Sequence, residues 1–424
     1  MLRRIALYLI VLAGFWITGV KVAYPQPVED RGLWVVRNTL TSPTAIDDLI
    51  YWAVNANFNS LFVQVCGRGD AYYRSELLPP AEPFLDNPPS YDPFAYLVQQ
   101  AHRYGLEVHA WINVFYIWSA ANPPRSARHI YYRHPDWIMT DQDGRSMRDY
   151  THTERRQKGV EGIFISPGIP QVRNHLREIV NEILEQYPVD GIHLDYVRYP
   201  GASYSFDFVT RHRFERKAKV DPYALLNNQL TFPSTEEFLA KVNEWNQWRA
   251  DQITRLVRAL HYDISRKRPQ VKLSAAVIAD VERAYYRFGQ KWADWLAEGI
   301  LDFAVPMAYT TNMADFETYV RDAVALAGDR PVYVGIGVWN KPFEDALLQI
   351  QKCRAEGVQG VVLFSHNALT QRPEWYLALR QGAFRERTLR PEMPWKGVPE
   401  IAIENEMEWK IPPLQWLIPN LVLD

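Results

Sequence analysis

Short runs of apolar and β-branched residues recur along this chain, and between them the apolar positions fall at the three-to-four-residue spacing of helices that cover a core with one face. The runs predict strands at Leu33–Asn38, Ser60–Cys66, Glu107–Val114, Asp190 to about Tyr199, Lys272–Ile278, Leu301–Tyr309, Val332–Val338 and Gly360–His366. Helices are predicted near 44–57, 92–104, 171–186, 235–268, 290–298, 315–327, 343–356 and 371–386. The strands are too apolar for a sheet with one wet face, and each is followed by a helix, so the pattern predicts a closed (β/α)8 TIM barrel. Two long excursions interrupt the alternation. Residues 115–168 follow the third strand, with a hairpin expected around Asp143-Gly144, and residues 200–235 follow the fourth. Pro306 sits awkwardly inside the sixth strand, where it removes a ladder hydrogen bond.

The fourth run, Asp190-Gly-Ile-His-Leu-Asp-Tyr-Val-Arg-Tyr-Pro200, departs from the apolar rule. Its period of two puts Gly191, His193, Asp195 and Val197 on one side and Ile192, Leu194 and Tyr196 on the other. The second set suits contact with covering helices. The first carries an imidazole and a carboxylate, which a packed interior does not accept unpaired, so that side faces a polar site. Pro200 ends the strand and leaves Asp195 and Arg198 at its C-terminal end, where barrel chemistry is placed. The other strand ends bring Arg37, Gln64, Arg68, Asp70, Trp111, Asn113, Tyr309, Trp339 and His366 to the same rim, joined by Tyr199 after the fourth strand and by Asp280 and Glu282 after the fifth. Carboxylates, arginines and aromatics gathered on one rim suit glycoside hydrolysis, in which one acid protonates the leaving oxygen and another attacks or activates water. Spaced aromatics at Tyr72, Tyr73, Trp118, Trp137, Tyr199, Tyr204 and Trp339 would offer sugar-stacking platforms along a groove walled by the two excursions.

Composition narrows the partners. With 47 basic and 49 acidic residues the formal charge is −2, which gives no basic field for nucleic acid. Two cysteines, Cys66 and Cys353, exclude a disulfide framework. The first strand has no His-x-His pair, no Gly-x-Ser-x-Gly elbow occurs and no phosphate-binding glycine loop follows a strand, so neither metal nor cofactor is expected. Arg3-Arg4 ahead of the uncharged run Ile5–Val20 reads as a secretory signal over residues 1–23, cleaved or kept as a membrane anchor. Residues 24–30 then read as a linker, 31–388 as the barrel and the proline-rich 389–424 as a tail wrapped on the barrel or loose.

The stretches Arg31-Gly-Leu-Trp-Val, Phe62-Val-Gln-Val-Cys-Gly-Arg-Gly-Asp-Ala-Tyr-Tyr, Val108-His-Ala-Trp-Ile-Asn-Val, the Asp190–Pro200 run and Phe303-Ala-Val-Pro-Met-Ala-Tyr resemble the glycosyl hydrolase-like 10 family of bacterial envelope barrels over residues 29–385. The resemblance implies an exported hydrolase of glycans, with peptidoglycan strands as substrate class. Cys66 stands where that family commonly has an arginine. By position Asp195 also matches the fourth-strand nucleophile of the distantly similar α-amylase type of barrel, with Arg198 expected to keep it ionised. The proton donor is expected at Glu282, ahead of Asp280 and Asp70; the rim residues named above, with His193, are expected to hold the sugar. A barrel that binds glycan without cleaving it, or a metal-assisted carbohydrate deacetylase, are the alternatives.

Overall fold

Strands apolar on both sides must be covered on both faces, and here the sheet closes on itself while helices cover its outside. The computed structural model describes residues 27–396. Its eight parallel strands are β1 (Asp30–Val35), β2 (Ser60–Cys66), β3 (Glu107–Asn113), β4 (Gly191–Asp195), β5 (Lys272–Ile278), β6 (Phe303–Met307), β7 (Tyr333–Gly337) and β8 (Gly360–Phe364). They form one closed ring in the order β1-β8-β7-β6-β5-β4-β3-β2, which is the predicted (β/α)8 barrel. Side chains fill its interior: Trp34, Phe62, Phe303, Tyr333 and Val362 pack there together. Gly191 is required at this level, since a Cβ on it would stand 2.0 Å from His109 Nδ1. The thinnest seam lies between β6 and β7, which share the single ladder pair Met307 with Gly335 and an isolated bridge. Pro306, with no N–H to give, sits in that strand.

Helices follow the prediction in most places, as at Pro43–Asn55, Pro170–Gln186 and Thr235–Lys267. The helix after β5 was not foreseen. Val281–Phe288 begins directly after β5, with the Asp280 carboxylate accepting from Arg283 N at 2.9 Å as its N-cap. The first excursion carries a two-stranded ribbon, Tyr116–Trp118 against Ile163–Phe164, and the expected turn at Gly144, flanked by the Thr140 to Ser146 bridge. The second folds into helices Phe208–Ala218 and Pro222–Leu226. Phe206, Phe214, Trp245 and Trp248 pin it to the long helix.

The segments at the two ends of the barrel domain meet beneath it. Glu29 N–H donates to Leu389 O and Leu389 N–H to Pro27 O, so residues 27–30 are tied to the start of the tail. From there residues 389–396 cross the N-terminal mouth of the barrel. Met393 joins the interior cluster, Arg390 pairs with Glu107 at 3.0 Å, and both Lys396 (2.6 Å) and the Trp395 indole (2.7 Å) engage the fully buried Asp302. The expected signal segment and residues 397–424 of the tail lie outside the described residues.

Candidate active site

Asp195 closes β4 beside Asn113 of β3, and its backbone oxygen accepts from Val114 N at 2.8 Å. The next residue, Tyr196, has φ +49°, a left-handed conformation that bulky side chains seldom adopt and that strained functional turns favour. The turn aims Tyr196 N–H at Asp195 Oδ1, 2.6 Å away. Packing holds it there, with the Tyr116 ring stacked on Tyr196 at 4.5 Å and the Arg198 guanidinium 4.2 Å from the Tyr196 ring centre. Arg198 then faces two carboxylates. Its Nη1 lies 3.8 Å from Asp195 Oδ1 and its Nη2 3.5 Å from Glu161 Oε2.

Burial pushes the Asp195 carboxyl up to about 6, and the nearby charge of Glu161 adds to this, against the opposing pull of Arg198 and the Tyr196 N–H. The expectation that Arg198 keeps this carboxyl firmly ionised is therefore corrected: desolvation outweighs the ion pair. The Asp195 side chain is 11% exposed and that of Glu161 59%, so the pair spans from floor to solvent.

A hydrogen-bonded floor supports the site. The Trp34 indole donates to His193 Nε2 at 3.1 Å, which leaves the His193 proton on Nδ1, facing Ser274 Oγ at 2.9 Å. His193 is thus a fully buried neutral imidazole below Asp195 and does not reach the surface. Alongside, Arg37 donates to Gln64 (2.7 Å), Gln64 to Asn113 (3.3 Å), the Trp111 indole to Asn113 (3.1 Å) and Asn113 to Gly67 O (2.8 Å). Tyr309, Phe364 and Trp339 form an aromatic wall with ring centres 4.9–5.7 Å apart. Burial, and then the charge of Asp195, hold the Tyr309 phenol well above its usual range, while Trp339 is 51% exposed.

Other expected site residues stand elsewhere. His366 is buried behind β8 with Nδ1 2.8 Å from the Tyr376 hydroxyl, and Tyr199 is fully buried under Arg249, giving its hydroxyl proton to Arg249 O. Both side chains are buried and held by partners within the fold. Asp70 is buried and caps Arg68 N at 3.0 Å, and Arg68 lies over the Trp118 ring. Glu282 is exposed in the first turn of the helix after β5, and Asp280 is occupied as its cap. The row of platforms is also corrected: Tyr72, Tyr73, Trp118 and Tyr204 are buried, and Trp137 is stacked on His134 at 3.9 Å. These rings anchor their own loops. Of the platforms expected, Trp339 alone is exposed. Glu161, Tyr116, Tyr196 and Trp34 were missed; the polar Glu161 just ahead of the apolar Gly162–Ile165 run was the available signal.

A closed parallel barrel with a buried carboxyl at its C-terminal rim places the chain among the (β/α)8 barrels, the fold of many glycosidases. The model of the glycosyl hydrolase-like 10 family matches residues 12–343, and the chain belongs to that family. It is 24% identical to glycosyl hydrolase YngK of Bacillus subtilis (strain 168), covering 91% of this chain and 74% of the relative. It is likewise 24% identical to glycosyl hydrolase DigH of Escherichia coli (strain K12), over 59% of this chain and 54% of that one, so it spans about half of the latter's length. An S-layer-related protein of Niallia circulans matches at 24% over 59% of this chain and 17% of its own. Among solved structures, the glycoside hydrolase domain of PgaB (BpsB) from Bordetella bronchiseptica superposes with a TM-score of 0.62 at 14% identity, over 83% of this chain and 98% of that one.

Proposed function

We propose that this protein is an exported glycoside hydrolase that cleaves a polymeric glycan, peptidoglycan strands foremost, with Asp195 giving its proton to the departing glycosidic oxygen. The observation that carries this reading is the buried Asp195 carboxyl at the C-terminal end of the barrel, pushed up to about 6 by desolvation. General acids work best with a pKa near the operating pH, and a carboxyl raised by burial is the usual way to make one. The half-exposed Trp339, edge-on to Tyr309, offers an apolar face for a sugar ring beside it. Family membership supports the glycosidic chemistry. Export rests on the apolar run Ile5–Val20 and on the company of an S-layer-related relative. Among the described residues no helix is long and apolar enough to cross a membrane.

The test is cleavage of purified polymeric peptidoglycan strands, followed by mass spectrometry, beside a glucan of similar length. Asp195→Asn is expected to lose about 10²–10⁴-fold in turnover on the natural polymer, and far less on an aryl glycoside whose leaving group needs no proton. Equal loss on both substrates would remove the acid role. Binding without cleavage by the wild-type protein would make this a glycan-binding barrel, and cleavage of the glucan alone would remove the peptidoglycan assignment.

A further inference from the structure

We infer that Glu161 is the second catalytic carboxylate, acting as the base that activates water, and that the reaction inverts the anomeric centre. This rests on the hydrolase reading above. Placement comes first. The ribbon carrying Glu161 is hydrogen-bonded to the same two residues that make the site: Val114 N–H donates to Asp195 O (2.8 Å), Phe115 N–H to Tyr196 O (3.3 Å), and Ile165 N–H returns to Phe115 O (2.8 Å). Glu161 therefore sits on a backbone locked to Asp195. Its neighbour Gly162 lies so close to the facing strand that a Cβ there would stand 2.3 Å from Trp118 O, so only glycine fits beside Glu161.

Arg198 joins the pair: Asp195 and Glu161 face different nitrogens of one guanidinium, at 3.8 and 3.5 Å, so one cation serves both carboxylates. A base that activates water attacks in a single displacement, so this role predicts inversion, whereas a nucleophile at Glu161 would give retention. The exposure of Glu161 suits a group that draws on solvent. Of the other acids of the rim, Asp280 caps Arg283 N and Asp70 caps Arg68 N, while Glu282 stands exposed on the helix after β5; the ion pairs of Arg198 are with Asp195 and Glu161.

In the step so defined, the oxygen of a water molecule bonds to the anomeric carbon while Glu161 takes one of its protons. The bond from that carbon to the glycosidic oxygen breaks, and the departing oxygen receives the proton of Asp195. Loss of the proton from Glu161 and its recovery by Asp195 restore the site, and one water is consumed per bond cut.

Two measurements test this on the full chain. Proton NMR of the first products of the wild-type enzyme should show a new reducing end of inverted configuration; retention would overturn the inference without any variant being made. Glu161→Gln should lose about 10²–10⁴-fold in kcat on both the polymer and the aryl glycoside, since a better leaving group does not replace a base. Glu161→Ala should regain turnover in sodium azide and release an inverted glycosyl azide. A Glu161→Gln enzyme as fast as wild type, while Asp195→Asn is dead, would overturn the role of Glu161 and leave the hydrolase standing. A wild-type protein that cleaves no glycan would take both down.

Discussion

At the scale of single residues, Asp195 is costly to the fold. Its carboxyl lies higher in the folded protein than in the unfolded chain, so its contribution is harmless at low pH and turns destabilising as pH rises from about 4 through about 6. Asp195→Asn should therefore raise the free energy of unfolding at pH 8 by on the order of 1–3 kcal/mol, with little gain at pH 4, as read by urea denaturation at both values. A variant less stable than wild type at pH 8 would show that ionised Asp195 is better compensated than its surroundings indicate. The same titration shapes activity: an acid that must be protonated loses function as pH rises past about 6, so kcat of the wild type should fall on that side and the fall should vanish for an activated aryl substrate. Asp195 was legible before the structure because a strand alternates, and a carboxylate on the face that also carries Gly191 and His193 has few bland explanations. Its burial was not legible, so the balance between desolvation and Arg198 was misjudged. Glu161 could not be found by that route at all, because it joins the site through a ribbon pairing Tyr116–Trp118 with Ile163–Phe164 across more than forty residues of loop.

At the scale of elements, strands and long helices were readable from period alone, while the excursions were readable only as lengths of chain. Val281–Phe288 was missed because it is short and its cap, Asp280, looked like free chemistry; Asp followed three residues later by a residue whose N–H it satisfies is a helix start as much as a catalytic loop. Buried aromatics account for the remaining misreading. Tyr72, Tyr73, Trp118 and Tyr204 lie in loops where sugar platforms are expected, yet long loops need their own anchors and used these rings for it. Trp245 does the same for the second excursion: it is fully buried, stacked on Trp248 at 5.6 Å and edge-on to Phe214 at 4.9 Å. Trp245→Ala should cost about 3–5 kcal/mol of local stability. Hydrogen exchange should quicken over residues 200–230 while β1–β8 stay protected; uniform acceleration would mean that the excursion and barrel unfold as one unit.

At the scale of the whole molecule, the N-terminal end of the barrel is closed by residues that follow the last helix. Sequence reading took everything after 388 as a wrapped or loose tail, since prolines without periodicity carry no sign of what they cover. Ending the chain at 388 should lower the melting temperature markedly, because it strips Lys396 and Trp395 from Asp302 and leaves that buried carboxylate with Arg330 at 3.6 Å and Leu273 N–H. Asp302→Asn in the shortened chain should recover part of the loss; an unchanged melting temperature on truncation would show the closure to be dispensable. For a chain made from its N-terminus onward, this closure works as a proof of completeness. The eight strands and their helices can all have emerged, yet the floor stays unsealed, with Asp302 paired to Arg330 alone, until Arg390, Met393 and Lys396 arrive behind them. A chain clipped or stalled just short of that point would carry Asp195 and Glu161 in place and still present proteases with an open-bottomed barrel.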